Sequence, residues 1–116
     1  MKLADLEPAL GNRPLVTMDD LAKAVQSGFG HVLTTPRSAI FVRVESFLTV
    51  GERVATVGPA VGNLAEIIEA LPHLEQWARF EGCTQAHVIG RKGWERALKA
   101  HGYEHYETVT RKLLDQ

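Results

Sequence analysis

Hydrophobic positions along the 116-residue chain follow two different periods, and the change between them predicts the first elements. After Thr17 the apolar residues fall at helical spacing as far as a stop at Gly28, so a helix is expected there. From Gly30 to Gly58 the period becomes two, and β-branched and aromatic residues predominate. This part of the chain predicts an antiparallel meander of three strands, over 31–35, 38–49 and 53–57.

The second half returns to helical spacing and then alternates between the two periods. Apolar residues from Leu64 to Ala78 lie on one helix face, and Pro72 predicts a kink or two abutting helices near Leu71. The pattern then predicts, in order, a strand over 84–89, a helix over 91–101 and a final strand over 103–114. This order indicates an α+β fold, in which the meander is followed by a helix–strand–helix–strand unit around a central mixed sheet.

Residues 1–16 stand apart from this pattern. They are interrupted by Pro8, Gly11 and Pro14, so an N-terminal arm with one short helix is expected. A single domain over 17–116 follows, and its length is sufficient to enclose a hydrophobic core.

Net charge, the lengths of the apolar runs and the numbers of cysteines and histidines exclude several classes of protein. The formal net charge of −1 argues against a surface that coats nucleic acids or membranes. No apolar run reaches the roughly 18 residues of a membrane span, and the start of the chain lacks the apolar core of a secretory signal. The single cysteine, Cys83, excludes an internal disulfide and is expected to be a small core residue, while the five histidines lack metal-ligand spacing. These features predict a cytoplasmic protein without a metal site.

Charged side chains on the predicted meander offer one candidate for proton transfer. Glu45 shares a strand face with Arg43 and with the aromatic residues Phe41 and Phe47. A carboxylate placed there can act through water as the general base for an amine substrate. The simpler interpretation, which we favour, is that Arg43 and Glu45 screen each other on a solvent-facing strand.

A run of cations marks the predicted helix over 91–101. Its four positively charged residues, offset by Glu95, are Arg91, Lys92, Arg96 and Lys99. Such a run is most often a solvated helix face, and a contact with nucleic-acid phosphates is the alternative. Trp94 is expected to pack in the core; if partly exposed beside these cations, it would anchor a protein interface.

Three segments in the second half resemble a known family. They are RVATVGPAVGNLAEII, LEQWARFEGC running into a strand, and GRKGWERALKAHGY followed by a last strand that ends in RKLL. The segments resemble GNAT-type N-acetyltransferases, and more closely the small GNAT-like proteins encoded by tailed phages and prophages. The resemblance covers roughly residues 30–114 and implies a trimmed GNAT fold whose first strand is missing or replaced.

The resemblance also implies a place for a cofactor. In that family acyl-CoA lies where the fourth and fifth strands separate, and main-chain N–H groups at the start of the central helix hold its pyrophosphate. In this chain the corresponding acyl-CoA phosphate loop comprises Gly58, Ala60, Val61, Gly62 and Asn63. The alternative is that these glycines serve only a tight turn between a strand and a helix.

The resemblance leaves the activity of the chain open. The tyrosine that is often the general acid in the family corresponds to Leu98 here, and the glycine loop is incomplete. The main prediction is therefore a non-catalytic, virion-associated or accessory module without a cofactor, which contacts other phage or host proteins in the host cytoplasm or the virion. The alternative is an acyl-CoA-dependent N-acetyltransferase acting on a primary amine, with Glu45 or Tyr103 moving protons.

Two further expectations concern partners. A weaker alternative to both functions is a nucleic-acid-associated protein that uses the cations of residues 91–99. Without a first strand the sheet would have an exposed edge, so self-association into a homo-oligomer is also expected.

Overall fold

The computed structural model describes residues 1–11, 14–90 and 93–114. Within these ranges a 3₁₀ helix opens the chain, followed by three α-helices and four β-strands. In chain order the elements are the 3₁₀ helix Leu3–Leu10, α1 (Met18–Ser27), β1 (Gly30–Thr35), β2 (Ser38–Phe47), β3 (Glu52–Gly62), α2 (Leu64–Phe80), β4 (Gln85–Val88) and α3 (Trp94–Lys99).

The four strands form one sheet in the order β1-β2-β3-β4. The first three pair antiparallel as a meander, and β4 pairs parallel with β3 after the crossover through α2. A parallel neighbour requires such a crossover, because the chain must return to the same end of the sheet. The α+β fold with a mixed sheet that the sequence predicts is therefore confirmed.

Helices pack on both sides of the sheet, and together they bury β2 on both of its faces. Successive side chains of a strand point to opposite faces. Ile40 and Val42 lie in the core that α2 and α3 cover, and this side is called the α2 face. Ala39 and Phe41 lie in a second core with Leu6 of the 3₁₀ helix and with α1, and this side is called the α1 face.

The first residues of the chain take part in the second core. The short helix expected in the arm is the 3₁₀ helix, whose Leu6 is fully buried in the cluster that contains Phe41. The terminal ammonium of Met1 donates a 2.8 Å hydrogen bond to Thr35 O at the end of β1. The start of the chain is thus packed against the sheet, while the domain boundary after residue 16 stays a prediction.

Local signals place both ends of α1. The Thr17 side chain accepts a hydrogen bond from Asp20 N–H at 3.2 Å, and the Asp20 carboxylate accepts one from Thr17 N–H at 2.8 Å. These contacts, first of all the bond from Thr17 N–H, hold the pKa of Asp20 below its ordinary value. Gly28 ends the helix in the left-handed conformation, with φ of 86°.

β3 is longer than predicted, and the glycine-containing stretch at 58–63 is not a loop. The strand continues because β2 pairs with it as far as the Ser38–Gly62 pair. A β-bulge between the Ile40–Ala60 and Val42–Val57 pairs absorbs an extra residue of β3. Only Asn63 separates the end of the strand from the first residue of α2.

α2 is one continuous helix of 17 residues with Pro72 inside it, so the alternative of two abutting helices is wrong. Leu71 and Leu74, on either side of Pro72, are both buried in the core of the α2 face. This packing compensates for the hydrogen bond that a proline within a helix cannot donate.

The final strand predicted over 103–114 is wrong, because no strand is assigned in that range. Tyr103 is held at the end of α3 by its N–H, which donates to Leu98 O at 3.2 Å. From residue 104 to residue 114 every side chain is exposed. Alternation specifies a strand only where one face of the segment is buried, and this segment has no buried face.

Candidate functional site

β3 and β4 run side by side over a short length, from the Val54–Gln85 pair to the Val57–Val88 pair. The last main-chain hydrogen bond between them runs from Ile89 N–H to Val57 O at 2.9 Å. Within the described chain, β3 then continues to Gly62 in contact with β2 alone. One edge of β3 is therefore without a strand partner directly before α2 begins.

Main-chain groups of β3 point towards this gap. In β2 the N–H group of Val44 donates to Phe29 O, directly before β1, at 2.9 Å. The main-chain groups of every second strand residue point to the same side, so those of Ile40 and Ser38 also point towards β1 and away from β3. Ala60 and Gly62 lie opposite Ile40 and Ser38, so their N–H and C=O groups point away from β2. These groups of Ala60 and Gly62, called the β3 edge, form a short row of hydrogen-bond donors and acceptors.

The start of α2 adds two more donors. Asn63 caps the helix, because its side-chain oxygen accepts from Glu66 N–H at 3.2 Å and its carbonyl accepts from Ile67 N–H at 3.0 Å. The N–H groups of Leu64 and Ala65 lie in the first turn, where a helix offers them no acceptor. The macrodipole makes this end positive, so the two N–H groups suit an anionic ligand.

Contacts within the protein already use some of this region. Glu66 Oε2 lies 3.3 Å from the hydroxyl of the fully buried Ser38, which also accepts from Asn63 N–H at 3.1 Å. A Cβ at Gly62 would overlap the carbonyl oxygen of Arg37 and come within 2.6 Å of Ser38 Oγ, and φ of Gly62 is 121°. Gly62 is therefore required by the close approach of the β1–β2 turn.

A row of polar residues crosses β2, β3 and β4 on the α1 face, next to the point where β3 and β4 separate. Arg43, Thr56 and His87 lie directly opposite one another on the three strands, so their side chains share a face. The Glu45 carboxylate accepts from Arg43 Nε at 3.1 Å and from the buried Thr56 Oγ1 at 3.3 Å. Arg43, Glu45, Thr56 and His87 are together called the polar row.

The polar row also has contacts beyond its own members. His87 Nε2 lies 3.0 Å from Gln85 Oε1. The ring of His87 is tilted against that of Tyr106, with ring centroids 5.0 Å apart. The row thus combines an ion pair, a hydroxyl and an imidazole one residue pair before the end of the β3–β4 ladder.

The two predicted proton-transfer residues do not meet. Glu45 lies in the polar row and pairs with Arg43, as the simpler interpretation of the sequence expects. Tyr103 packs against the core of the α2 face and donates from its hydroxyl to Glu75 Oε2 at 2.8 Å. Burial, together with the Glu75 carboxylate, raises the pKa of Tyr103 well above its ordinary range.

Sequence reasoning missed Thr56 and His87. A signal was present, because both residues are polar and alternate with aliphatic neighbours in predicted strands. Their meeting depends on the register between two strands 31 residues apart, in which Thr56 pairs with His87. Such a register is set by tertiary packing and not by the pattern of either strand alone.

The residues predicted for protein contacts are only partly described. Arg91 and Lys92 lie outside the described residues. Trp94 is half-buried and packs against the core of the α2 face, whereas Arg96 is exposed on α3. Leu98, which stands at the family's tyrosine position, is buried in the same core.

Cys83 is a half-buried residue packed against the core, as expected. Burial raises the pKa of its thiol, although the neighbouring Arg53 partly opposes the shift. Among the described residues there is no group of three or more His, Cys, Asp or Glu side chains able to hold a metal ion. No helix within the same residues has the length and apolar character needed to cross a membrane.

The main-chain groups around the start of α2 fit part of an acyl-CoA cofactor. Leu64 and Ala65 offer N–H donors at the positive end of a helix, and Ala60 and Gly62 offer a strand edge. The Glu66 carboxylate in the first turn opposes an anion there. Gly58 and Val61 belong to β3, and Val61 pairs with Ala39 of β2.

Comparison with solved structures identifies the fold. An acetyltransferase from Trypanosoma brucei superposes with a TM-score of 0.65 at 13% identity, covering 98% of this chain and 96% of that one. Glucosamine-6-phosphate N-acetyltransferase from Arabidopsis thaliana gives 0.64 at 11% identity, covering 99% and 95%. A predicted acetyltransferase from Clostridium acetobutylicum, solved with acetyl-CoA, gives 0.67 at 8% identity, covering 97% and 92%.

Sequence comparison adds nothing to this result, since no family model and no curated protein matches the chain. At sequence identities of 8–13%, the similarity to these structures establishes the fold and nothing beyond it. The match extends over nearly the full length of both partners in each case. The chain therefore has the fold of GNAT-type acetyltransferases.

Proposed function

We propose that the protein is an acyl-CoA-dependent N-acyltransferase that acts on a primary amine. The observation that carries the proposal is the separation of β3 and β4 after the Val57–Val88 pair, between the start of α2 and the polar row. A structure of the same fold has been solved with acetyl-CoA, which supports this choice of donor. Fold alone does not define an activity, so the proposal depends on the residues around the gap.

The donor would lie along the β3 edge. An arm that contains amide groups can pair with the main chain of Ala60 and Gly62 as an added strand does. The N–H groups of Leu64 and Ala65 would receive its phosphates at the positive end of α2. Bound acyl-CoA supplies an acyl thioester, which is the activated form of the group to be transferred.

The polar row would prepare the amine. With Gln85 Oε1 as the acceptor at 3.0 Å, a neutral His87 would donate from Nε2 and present the lone pair of Nδ1. Nδ1 can take a proton from an ammonium group and leave a nucleophilic amine. Glu45 is engaged by Arg43 and Thr56, so its role here is to hold the polar row in position, with direct proton removal as the alternative.

Binding of acetyl-CoA to matched variants tests the proposal. Ala65 is exposed in the first turn of α2. Ala65→Glu suits the positive end of a helix but repels phosphate, whereas Ala65→Gln changes size with no charge. Calorimetric titration is expected to show binding by the unmodified protein and by Ala65→Gln, and roughly tenfold weaker binding by Ala65→Glu. Absence of binding at millimolar acetyl-CoA, or equal binding by all three proteins, would overturn the proposal.

The non-catalytic phage-type role that the sequence favours receives no support from the fold or from the solved structures, which are acetyltransferases. The acetyltransferase alternative is the better supported of the two. Contacts with phage or host proteins, self-association and binding of nucleic acid through residues 91–99 stay predictions. The same holds for a location in the host cytoplasm or virion.

A further inference from the structure

A cavity of about 470 Å³ lies between the second half of α2, the outer edge of β4 and the chain that follows α3. Its volume is within the range of small-molecule sites. The residues that give it chemical character are Glu75, Arg79, His87, His101, Tyr103 and Tyr106. It lies along the opposite edge of β4 from β3, and is therefore separate from the β3 edge.

The Glu75 carboxylate on the wall of this cavity is incompletely neutralised. Its Oε2 accepts the hydroxyl of Tyr103 at 2.8 Å, while Oε1 lies 3.8 Å from Arg79 Nη2, too far for a hydrogen bond. The Glu75 side chain is 29% exposed, whereas that of Arg79 is 73% exposed and largely solvated. A carboxylate accepts about four hydrogen bonds, so Glu75 keeps acceptor positions and a partly buried negative charge.

Aromatic rings also line the cavity. The rings of His87 and Tyr106 lie with centroids 5.0 Å apart and planes inclined by 46°. The face of a tyrosine ring attracts cations, also at an exposed position such as that of Tyr106. A second carboxylate, Glu104, also lines the cavity, so among the described lining residues two carboxylates accompany one guanidinium, that of Arg79.

We infer that this cavity binds a primary alkylammonium group. The N–H groups of the ammonium would donate to Glu75, and the alkyl chain would lie against the rings of Tyr103 and Tyr106. A neutral or anionic ligand would leave Glu75 with only its 3.8 Å ion pair to the largely solvated Arg79 and the hydrogen bond from Tyr103. His87, the proposed base, also lines the cavity, so a bound ammonium would lie beside the polar row. Its binding requires neither an acyl donor nor a transfer step, and it can therefore fail or succeed separately from the proposed function.

Titration of the full chain with n-pentylammonium, without acyl-CoA, tests the inference. Amide and aromatic NMR shifts are expected to change around Glu75 and Tyr106 and to saturate at millimolar ligand. The neutral n-pentanol is expected to bind at least roughly tenfold more weakly, since it lacks the charge that pairs with Glu75. Tetramethylammonium, which has no N–H donor, is expected to bind more weakly than n-pentylammonium.

Variants of the chain distinguish binding at this cavity from a general attraction of cations to negatively charged side chains. Glu75→Gln retains an oxygen that can accept from Tyr103 and is expected to lower the affinity roughly tenfold. Glu69→Gln removes an exposed carboxylate of the same helix and is expected to leave the affinity unchanged. Tyr106→Leu, at an exposed position, is expected to weaken binding without affecting folding. Equal binding of n-pentanol, an unchanged affinity in folded Glu75→Gln, or no saturable shift would overturn the inference.

Discussion

The hydroxyl of Tyr103 donates a 2.8 Å hydrogen bond to Glu75 Oε2, joining the chain after α3 to the middle of α2. Tyr103→Phe is expected to lower the free energy of unfolding by about 1–2 kcal/mol, since a half-buried carboxylate loses a donor. Tyr106→Phe serves as the control, because Tyr106 is 72% exposed. Chemical denaturation measures both, and similar losses in the two variants would contradict a structural role for the Tyr103 hydroxyl.

The same hydrogen bond predicts a pH dependence. The pKa of Tyr103 is raised in the folded protein by burial and by Glu75, whereas in the unfolded chain it is about 10. A group with a raised folded pKa contributes stability below the unfolded pKa and loses it as the pH rises further. The stability difference between the unmodified protein and Tyr103→Phe is therefore expected to be constant from pH 7 to about 9 and to shrink above about 10.

Thermal unfolding of both proteins across this range provides the measurement. Taking the difference between them removes the contributions of other groups that titrate at high pH. A difference that grows above pH 10 would show that the Tyr103 phenolate is favoured in the fold, contrary to the structure.

Gly62 is expected to be the glycine least tolerant of substitution among those of the sheet and its turns. In Gly62→Ala the Cβ meets the Arg37 carbonyl and Ser38 at a φ of 121°, so the loss of stability is expected to be about 3 kcal/mol or more. Gly51→Ala is the control: φ is 70° there, and no atom lies within 4 Å of the added Cβ. Backbone strain alone predicts a loss of about 1–2 kcal/mol for Gly51→Ala. Equal losses, measured by denaturant unfolding, would mean that the β1–β2 turn can move away.

Local signals in the sequence predicted elements where they act over a few residues. Thr17 and Gly28 mark the ends of α1 by capping and by left-handed geometry, and both are visible in the sequence. The extension of β3 to Gly62 depends instead on pairing with Ser38, 24 residues earlier. The segment 103–114 alternates as a strand does, yet no face of it is buried. The elements that the hydrophobic pattern predicted wrongly are therefore those whose extent depends on contacts with residues far away in the sequence.

The position of the candidate site could be predicted from the sequence, whereas the long-range contacts within it could not. The family resemblance led to the junction of β3 and α2, where Gly62 and Asn63 do lie. It could not show that Gly62 is required by Arg37, because that contact joins the β1–β2 turn to the end of β3. Glu45 was identified from its strand, whereas His87 reaches the same row only through the β3–β4 register.

His87 and Glu45 are expected to affect catalysis differently. His87→Gln removes the proposed base and is expected to lower kcat for acetyl transfer by about 10²-fold or more, with a small effect on KM. Glu45→Gln keeps an oxygen that can accept from Thr56 and Arg43, so it is expected to lower kcat less than His87→Gln does. Steady-state assays with a primary amine and acetyl-CoA measure both constants. A larger fall in kcat for Glu45→Gln than for His87→Gln would assign the base to Glu45.

Glu66 is expected to weaken anion binding at the start of α2 while stabilising the helix. Its carboxylate lies in the first turn, which favours the helix but repels the phosphates of acetyl-CoA. Glu66→Gln is therefore expected to bind acetyl-CoA about two- to fivefold more tightly and to lose about 0.3–1 kcal/mol of stability. Calorimetric titration at low and high ionic strength is the measurement, with Glu69→Gln as the control further along α2. The gain is expected to shrink at high salt because ions screen the repulsion, and a gain that salt does not change would point to a cause other than charge.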